Sequence, residues 1–209
     1  MELYALVNKC TRKLEYLVIS CVVCFYILSI YDTITSSHKI LPLYFCLLSF
    51  YYYIRLLTKH PDIYLDFNCV DNVCKRCNRL TGRKSVHCEI CNKCFYKRDH
   101  HCVITGKCIS ADNTPDLYFT VLFMFLYSIL ALFRSSCLKE FIFFYKYMCF
   151  LSGFLLVWLT LLCLSDKTTG ELIKNFYIAD FKIKNMKNLN KNGILCVVLP
   201  IVCKTVRII

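Results

Sequence analysis

Charged and apolar positions alternate along this chain in long blocks rather than in short helical or strand periods. No charged side chain occurs from Tyr16 to Tyr31, and Asp32 stands at the end of that run. A polar turn, Ser36-Ser37-His38-Lys39, separates it from a second uncharged, aromatic-rich run, Ile40 to Ile54, which ends at Arg55. Two further runs, Leu117 to Phe133 and Tyr147 to Ser165, are bounded by Asp116, Arg134 and Lys146. A bilayer core of about 30 Å takes about 20 helical residues, so the four runs predict four transmembrane helices, with Arg55 able to snorkel from the second. Residues 58–116 are different in kind. Charges recur at ordinary density, Pro61 and Gly82 interrupt the chain, and no apolar run there is long enough to cross.

Composition strengthens the membrane reading. Apolar residues make up 57% of the 209 residues, aromatic residues 15%, and the mean hydropathy is +0.50, well above an ordinary soluble domain. The formal charge of +12 fits an anionic bilayer surface better than nucleic acid in so apolar a chain. Its placement sets orientation. Three of the Lys and Arg precede the first run, eleven lie from Arg55 to Lys107 and eight follow the fourth run. The opposite side holds only Lys39, Arg134, Lys139 and Lys146. By the positive-inside rule the N-terminus, the 58–116 segment and the tail are cytosolic. The tail is Lys- and Asn-rich, and its late apolar patch from Ile194 to Cys203 contains Pro200. That patch is too short to span and is expected to pack on the bilayer or the protein.

A cytosolic setting changes the meaning of the 17 cysteines. No cleavable signal-peptide pattern heads the chain, and thiols in the cytosol stay reduced, so metal and catalysis remain as uses. Cys10, Cys21, Cys24, Cys46, Cys137, Cys149, Cys163, Cys196 and Cys203 are scattered without regular spacing and read as small hydrophobes. The rest, Cys69 apart, crowd into 35 residues with three histidines. Cys74-x2-Cys77 and Cys91-x2-Cys94 have the short spacing with which two thiolates grip one zinc ion, and His87, Cys88, His101 and Cys108 flank them. Adjacent residues of an extended segment point to opposite sides. His87 and Cys88 should therefore serve different ions, and His101 should face away from His100 and Cys102. Eight ligands complete two tetrahedral sites and leave His100 and Cys102 over, with Asp99 beside them. A Cys/His pair oriented by a carboxylate suits nucleophilic thiol chemistry. Lys93, Lys97 and Arg98 are available to an anionic co-substrate or to lipid headgroups.

The run Cys74-x2-Cys77-x9-His87-Cys88-x2-Cys91-x2-Cys94-x4-Asp99-His100-His101-Cys102-x5-Cys108 resembles the cysteine-rich domain of DHHC-type protein S-acyltransferases. Four spans with that domain between the second and third resemble the family layout. Thr168-Thr169-Gly170-Glu171 is similar to the family's TTxE motif, although the same residues read equally as a helix N-cap. The resemblance implies Cys74, Cys77, His87 and Cys94 on one structural zinc, and Cys88, Cys91, His101 and Cys108 on a second. It implies Cys102 as nucleophile with His100 and Asp99, and long-chain acyl-CoA, palmitoyl-CoA first, as co-substrate. Membrane-associated proteins with cytosolic cysteines would accept the acyl group. This sequence departs from the family at Ile104 (a Trp there), Gly106-Lys107 (paired Asn), Ser110 (Gly) and His60-Pro61-Asp62 (a DPG motif), while Asn113 matches.

The expected fold is an all-α polytopic membrane protein with four transmembrane helices and a cytosolic zinc-binding cysteine-rich domain between the second and third. Its parts are 1–57 (N-terminus and two spans), 58–116 (cysteine-rich domain), 117–165 (two spans) and 166–209 (tail). The expected activity is S-acylation at an endomembrane (ER or Golgi) or plasma membrane. The alternative is a catalytically inactive zinc-ordered adaptor of the same family. A zinc-finger nucleic-acid binder is set aside on the four spans, so no nucleic acid is expected as partner.

Overall fold

The structure is a computed structural model, and it describes residues 2–36, 39–59, 61, 72–78, 80–82, 84–133 and 140–175. The chain divides into two units, Met1–Asp166 and Lys167–Ile209. In the first, four helices occur among the described residues: α1 (Glu2–Ile34), α2 (Ile40–Thr58), α3 (Thr114–Leu132) and α4 (Glu140–Ser165). Each contains a stretch long and apolar enough to cross a membrane: Lys9–Ile34, Ile40–Thr58, Thr114–Leu132 and Ile142–Ser165. These enclose the four apolar runs except for Phe133, which follows the end of α3. The helix around the first run starts well before it, because Ala, Leu, Lys, Arg and Glu all continue a helix readily, so charge ends the hydrophobic run without ending the helix. Pro115 sits in the first turn of α3, where its missing N–H costs nothing.

α3 packs between α2 and α4, and α1 lies against α2. The shared core is aromatic: Tyr26, Tyr53, Tyr127 and Tyr145 are buried together with Cys46, Met124 and Ala131. Hydroxyls with no water to turn to need protein partners, and the core tyrosines have them, while the buried Ser29 hydroxyl has none. The Tyr26 and Ser49 hydroxyls lie 2.8 Å apart, and Ser49 Oγ also donates to the Thr120 carbonyl at 2.9 Å. At the opposite end Tyr145 donates to Asp32 Oδ2 at 2.8 Å, and Tyr127 hydrogen-bonds Tyr145 at 3.2 Å. The buried Asp32 is thereby held by α4. Gly153 lets α4 approach closely, since a Cβ there would stand 3.0 Å from the Phe125 ring, an example of small residues letting helices meet in lipid.

The expectation of an all-α chain is met in that the protein is mostly helical. Between α2 and α3, however, the described residues form three two-stranded antiparallel ribbons: β1 (Asn72–Val73) with β2 (Leu80–Thr81), β3 (Ser85–Cys88) with β4 (Lys93–Tyr96), and β5 (His100–Cys102) with β6 (Lys107–Ile109). Strands of two to four residues leave almost no period-2 signal in a sequence. Their turns are readable in hindsight. Asn78 and Asn92, each following a Cys of a CxxC pair or its start, take positive φ (51° and 50°), a region Asn tolerates better than most residues.

In the second unit residues 169–175 are helical. Glu171 Oε2 accepts from the Thr168 N–H at 2.9 Å, and the Glu171 N–H approaches Thr168 Oγ1 at 3.4 Å. This is a capping box, the N-cap reading of that motif. The Ile194–Cys203 patch, His60 and Asp62 lie outside the described residues.

Candidate metal and thiol centre

Strand register sorts the ligand-type side chains. Across β3/β4, His87 faces Cys94; across β5/β6, His101 faces Cys108. Cross-strand partners share a face, while the neighbours Cys88, His100 and Cys102 point the other way. Two clusters result: Cys74, Cys77, His87 and Cys94, and Cys88, Cys91, His101 and Cys108, with the donor atoms of each within 4.8 Å of one another. His87 Nδ1 lies 3.7 Å from Cys74 Sγ and 3.6 Å from Cys94 Sγ, and Cys77 and Cys94 sulfurs are 3.5 Å apart. In the second cluster His101 Nδ1 stands 3.8, 3.3 and 3.8 Å from the sulfurs of Cys88, Cys91 and Cys108. With Zn–S near 2.3 Å and Zn–N near 2.0 Å, the edges of a tetrahedral site come to about 3.5–3.8 Å. Both clusters have that size, so both are able to hold a metal ion, and the three-thiolate, one-imidazole donor sets suit zinc.

The thiols themselves are unevenly placed. Hydrogen bonds from the backbone of Cys77 and Arg76 hold Cys74 down at about 6, and the contact with Cys108 holds Cys91 at about 5. Burial pushes Cys94 up to about 12, and the contact with Cys91 pushes Cys108 up as well. Four soft donors this close compete for protons, and a cation resolves that competition by taking all four.

Outside the clusters, β5 presents His100 and Cys102 on its other face. Cys102 is buried with Leu56 from the end of α2 and Ile109, and Leu117 from the start of α3 packs against them. The thiol thus sits at the mouth of the helix bundle. His100 Nδ1 pairs with Asp99 Oδ2 at 2.9 Å, leaving the other ring nitrogen for Cys102. That pairing with Asp99, and next the bond to Cys102, raise His100 to about 9 against the cost of burial. Burial pushes the Cys102 thiol up, but hydrogen bonds from His100 and Thr105 outweigh it, and the thiol falls below its ordinary value. The geometry therefore favours a thiolate–imidazolium pair.

Several contacts around the site were not foreseen from the sequence. Tyr53 of α2 donates to the Ile104 carbonyl at 2.9 Å and so grips the loop that follows Cys102. Asn113, fully buried, accepts from the Ser110 N–H and donates to the Cys108 carbonyl, both at 2.9 Å, bracing the link from the last cluster residue into α3. Arg55 meets the buried Asp116 at 3.1 Å. Glu15 of α1 reaches His101 Nε2 at 2.8 Å. Of the cations considered for an anionic co-substrate, Lys97 pairs with Asp166 at 2.6 Å and Arg98 Nε donates to Cys108 Sγ at 3.4 Å. Lys93 is exposed and lines a cleft of about 380 Å³ with Arg12, Glu15 and Lys107. Most of these partnerships leave no local signal, since they join residues far apart in sequence or a side chain to the backbone.

Comparison with curated proteins finds no matching relative. Residues 68–147 match the family model of the DHHC palmitoyltransferase. That stretch takes in both clusters, Asp99-His100-His101-Cys102, the Asn113 brace and all of α3. Over residues 68–147 the chain is therefore similar to the DHHC palmitoyltransferase family.

Proposed function

We propose that this protein is a membrane-embedded protein S-acyltransferase that moves a long-chain acyl group, palmitoyl first among candidates, from acyl-CoA to Cys102 and on to cysteines of membrane-associated proteins. The observation that carries the reading is the Asp99–His100–Cys102 alignment, a charged imidazole beside a lowered thiol, at the mouth of an apolar bundle. The acyl tail belongs with lipid and the CoA with water, and this is where the two solvents meet. The basic balance of the chain supports a mouth on the cytosolic face of an endomembrane or the plasma membrane. Cys74, Cys77, His87 and Cys94 hold one zinc, and Cys88, Cys91, His101 and Cys108 the other; bound zinc supplies structural cross-links between ribbons too short to fold alone.

In the first step the Cys102 thiolate attacks the acyl-CoA carbonyl carbon. The bond from that carbon to the CoA sulfur breaks, and the departing thiolate takes the proton from the His100 imidazolium. In the second step neutral His100 removes the proton from a substrate cysteine. The resulting thiolate attacks the Cys102 thioester, and Cys102 leaves as thiolate beside a recharged His100. One thioester replaces another each time, so neither step is strongly uphill. Asp99 keeps the imidazole oriented and charged through the cycle. Lys93 and Lys107, on the rim of the cleft, are the cations best placed for CoA phosphates.

The test is self-acylation. Purified wild-type protein given labelled palmitoyl-CoA acquires a hydroxylamine-sensitive label, and Cys102→Ser does not. A label that stays on the cluster in Cys102→Ser overturns the nucleophile. A folded, zinc-replete wild type that takes no label from any acyl-CoA overturns the enzyme reading in favour of an adaptor.

A further inference from the structure

A zinc-bound imidazole has a second nitrogen, and what that nitrogen touches decides its tautomer, its orientation and its strength as a ligand. In the second cluster the three sulfurs surround His101 Nδ1, at 3.3 to 3.8 Å. A ligating Nδ1 carries no proton, so Nε2 does, and Nε2 faces Glu15 Oε1 at 2.8 Å. Both side chains are almost wholly buried, 6% exposed for His101 and 9% for Glu15. A carboxylate in such a place needs a donor, and the Nε2–H is the donor it has. Glu15 comes from α1, 86 residues away from His101.

The loop between Cys102 and Cys108 is shaped to the same contact. Gly106 has φ +62°, and a Cβ on it would stand 3.4 Å from Glu15 Oε2 and 3.5 Å from Ile19 Cδ1. Among the described residues His87, the imidazole of the first cluster, has no matching carboxylate. The two clusters have the same ligand types and differ in this partner.

We propose that Glu15 is a positioning residue of the second metal centre: from the first membrane helix it fixes His101 as an Nδ1 ligand and docks α1 onto the loop that carries Cys102. The proposal rests on zinc occupying that cluster, and the test separates the two ideas. The full-length protein in detergent or nanodiscs is assayed for zinc content and for the rate of zinc release to excess chelator. Wild type is expected to hold two zinc ions. Glu15→Ala should speed the release of one ion, on the order of tenfold to a hundredfold, and leave the other at its wild-type rate. Glu15→Gln keeps a neutral acceptor and a near-identical shape, and should fall between; it serves also where the alanine variant fails to fold. After cobalt substitution, Glu15→Gln should shift the ligand-field bands of one site and not those of the other.

A purely structural tether would behave differently. In a His101→Cys background the fourth ligand is a thiolate with no Nε2, so Glu15→Gln should add nothing to zinc release. Unchanged release and unchanged cobalt bands in Glu15→Gln overturn the proposal, and so does an effect of Glu15→Gln that persists in His101→Cys. A wild type without zinc overturns the metal assignment itself, a result recognisable before any variant is made.

Discussion

Asp99→Asn gives the sharpest reading of the thiol centre, because the amide keeps an acceptor for His100 Nδ1 and removes only the charge. In the native protein His100 is raised from 6.5 to about 9, with the Asp99 pairing the largest cause. The His100 side chain is 48% exposed, so solvent screens part of that interaction. We take the loss as about 1.4 kcal/mol, a factor of ten in the protonation equilibrium. The sign follows from the charge: Asp99 favours imidazolium, so its loss lowers His100 toward neutrality, from about 9 to about 8. Acylation of Cys102 that needs the imidazolium as proton donor is complete below that value and fades above it. At pH 8.5 the wild type then keeps about three quarters of its plateau rate and Asp99→Asn about one quarter. The Cys102 thiolate loses support at the same time, so the acid limb moves upward and the profile narrows from both sides. The assay is single-turnover formation of acyl-Cys102 from palmitoyl-CoA between pH 6.5 and 9.5, at matched zinc content. A variant whose profile superimposes on the wild type, with its basic limb still near 9, refutes the role given to Asp99.

Two further substitutions test the scaffold around that centre. Asn113→Ala removes two buried 2.9 Å hydrogen bonds and strands the Ser110 N–H and the Cys108 carbonyl. The expected loss is about 2–4 kcal/mol, read as a lower melting temperature in detergent and as faster zinc release from the cluster containing Cys108. Arg55→Ala leaves Asp116, 4% exposed, without its ion pair. Because Arg55 is largely exposed, solvent replaces part of the pairing, so the melting temperature should fall by less than for a fully buried pair, and adding Asp116→Asn should restore most of the loss in the same assay.

What the sequence made legible follows from the range of each interaction. Bilayer thickness writes itself into runs such as Leu117–Phe133, and zinc writes itself into Cys-x2-Cys spacing, so helices and clusters can both be read locally. Alternation along an extended segment was enough to set His101 apart from His100 and Cys102, and the register His101↔Cys108 has that geometry. The ribbons carrying these residues escaped notice because four residues are too few to show a period. The extent of α1 escaped because Glu15 closes the uncharged run while the helix continues through it. Contacts such as Tyr53 to the Ile104 carbonyl depend on how α2 meets a loop 51 residues away, and no window along the chain contains both. The departures at Ile104 and Gly106 also change meaning. The first meets α2 through its backbone, and the second lies against Glu15 and Ile19 of α1.

α1 carries two buried carboxylates. Asp32 is held from α4 by Tyr145, and Glu15 is held against the ribbon by His101. Seventeen residues of α-helix place these anchor points about 25 Å apart along the axis, and the intervening turns leave them about 100° apart in azimuth. A rod pinned once can still spin about its axis or slide along it. Pinned twice, at different heights and on different sides, it can do neither without breaking an acid–partner contact in a poorly hydrated setting. α1, long and apolar enough to cross a membrane, is therefore held as a strut along the bundle. A change in bilayer thickness would be felt at the Cys102 loop through tilt of that strut, since its other rigid-body motions are closed.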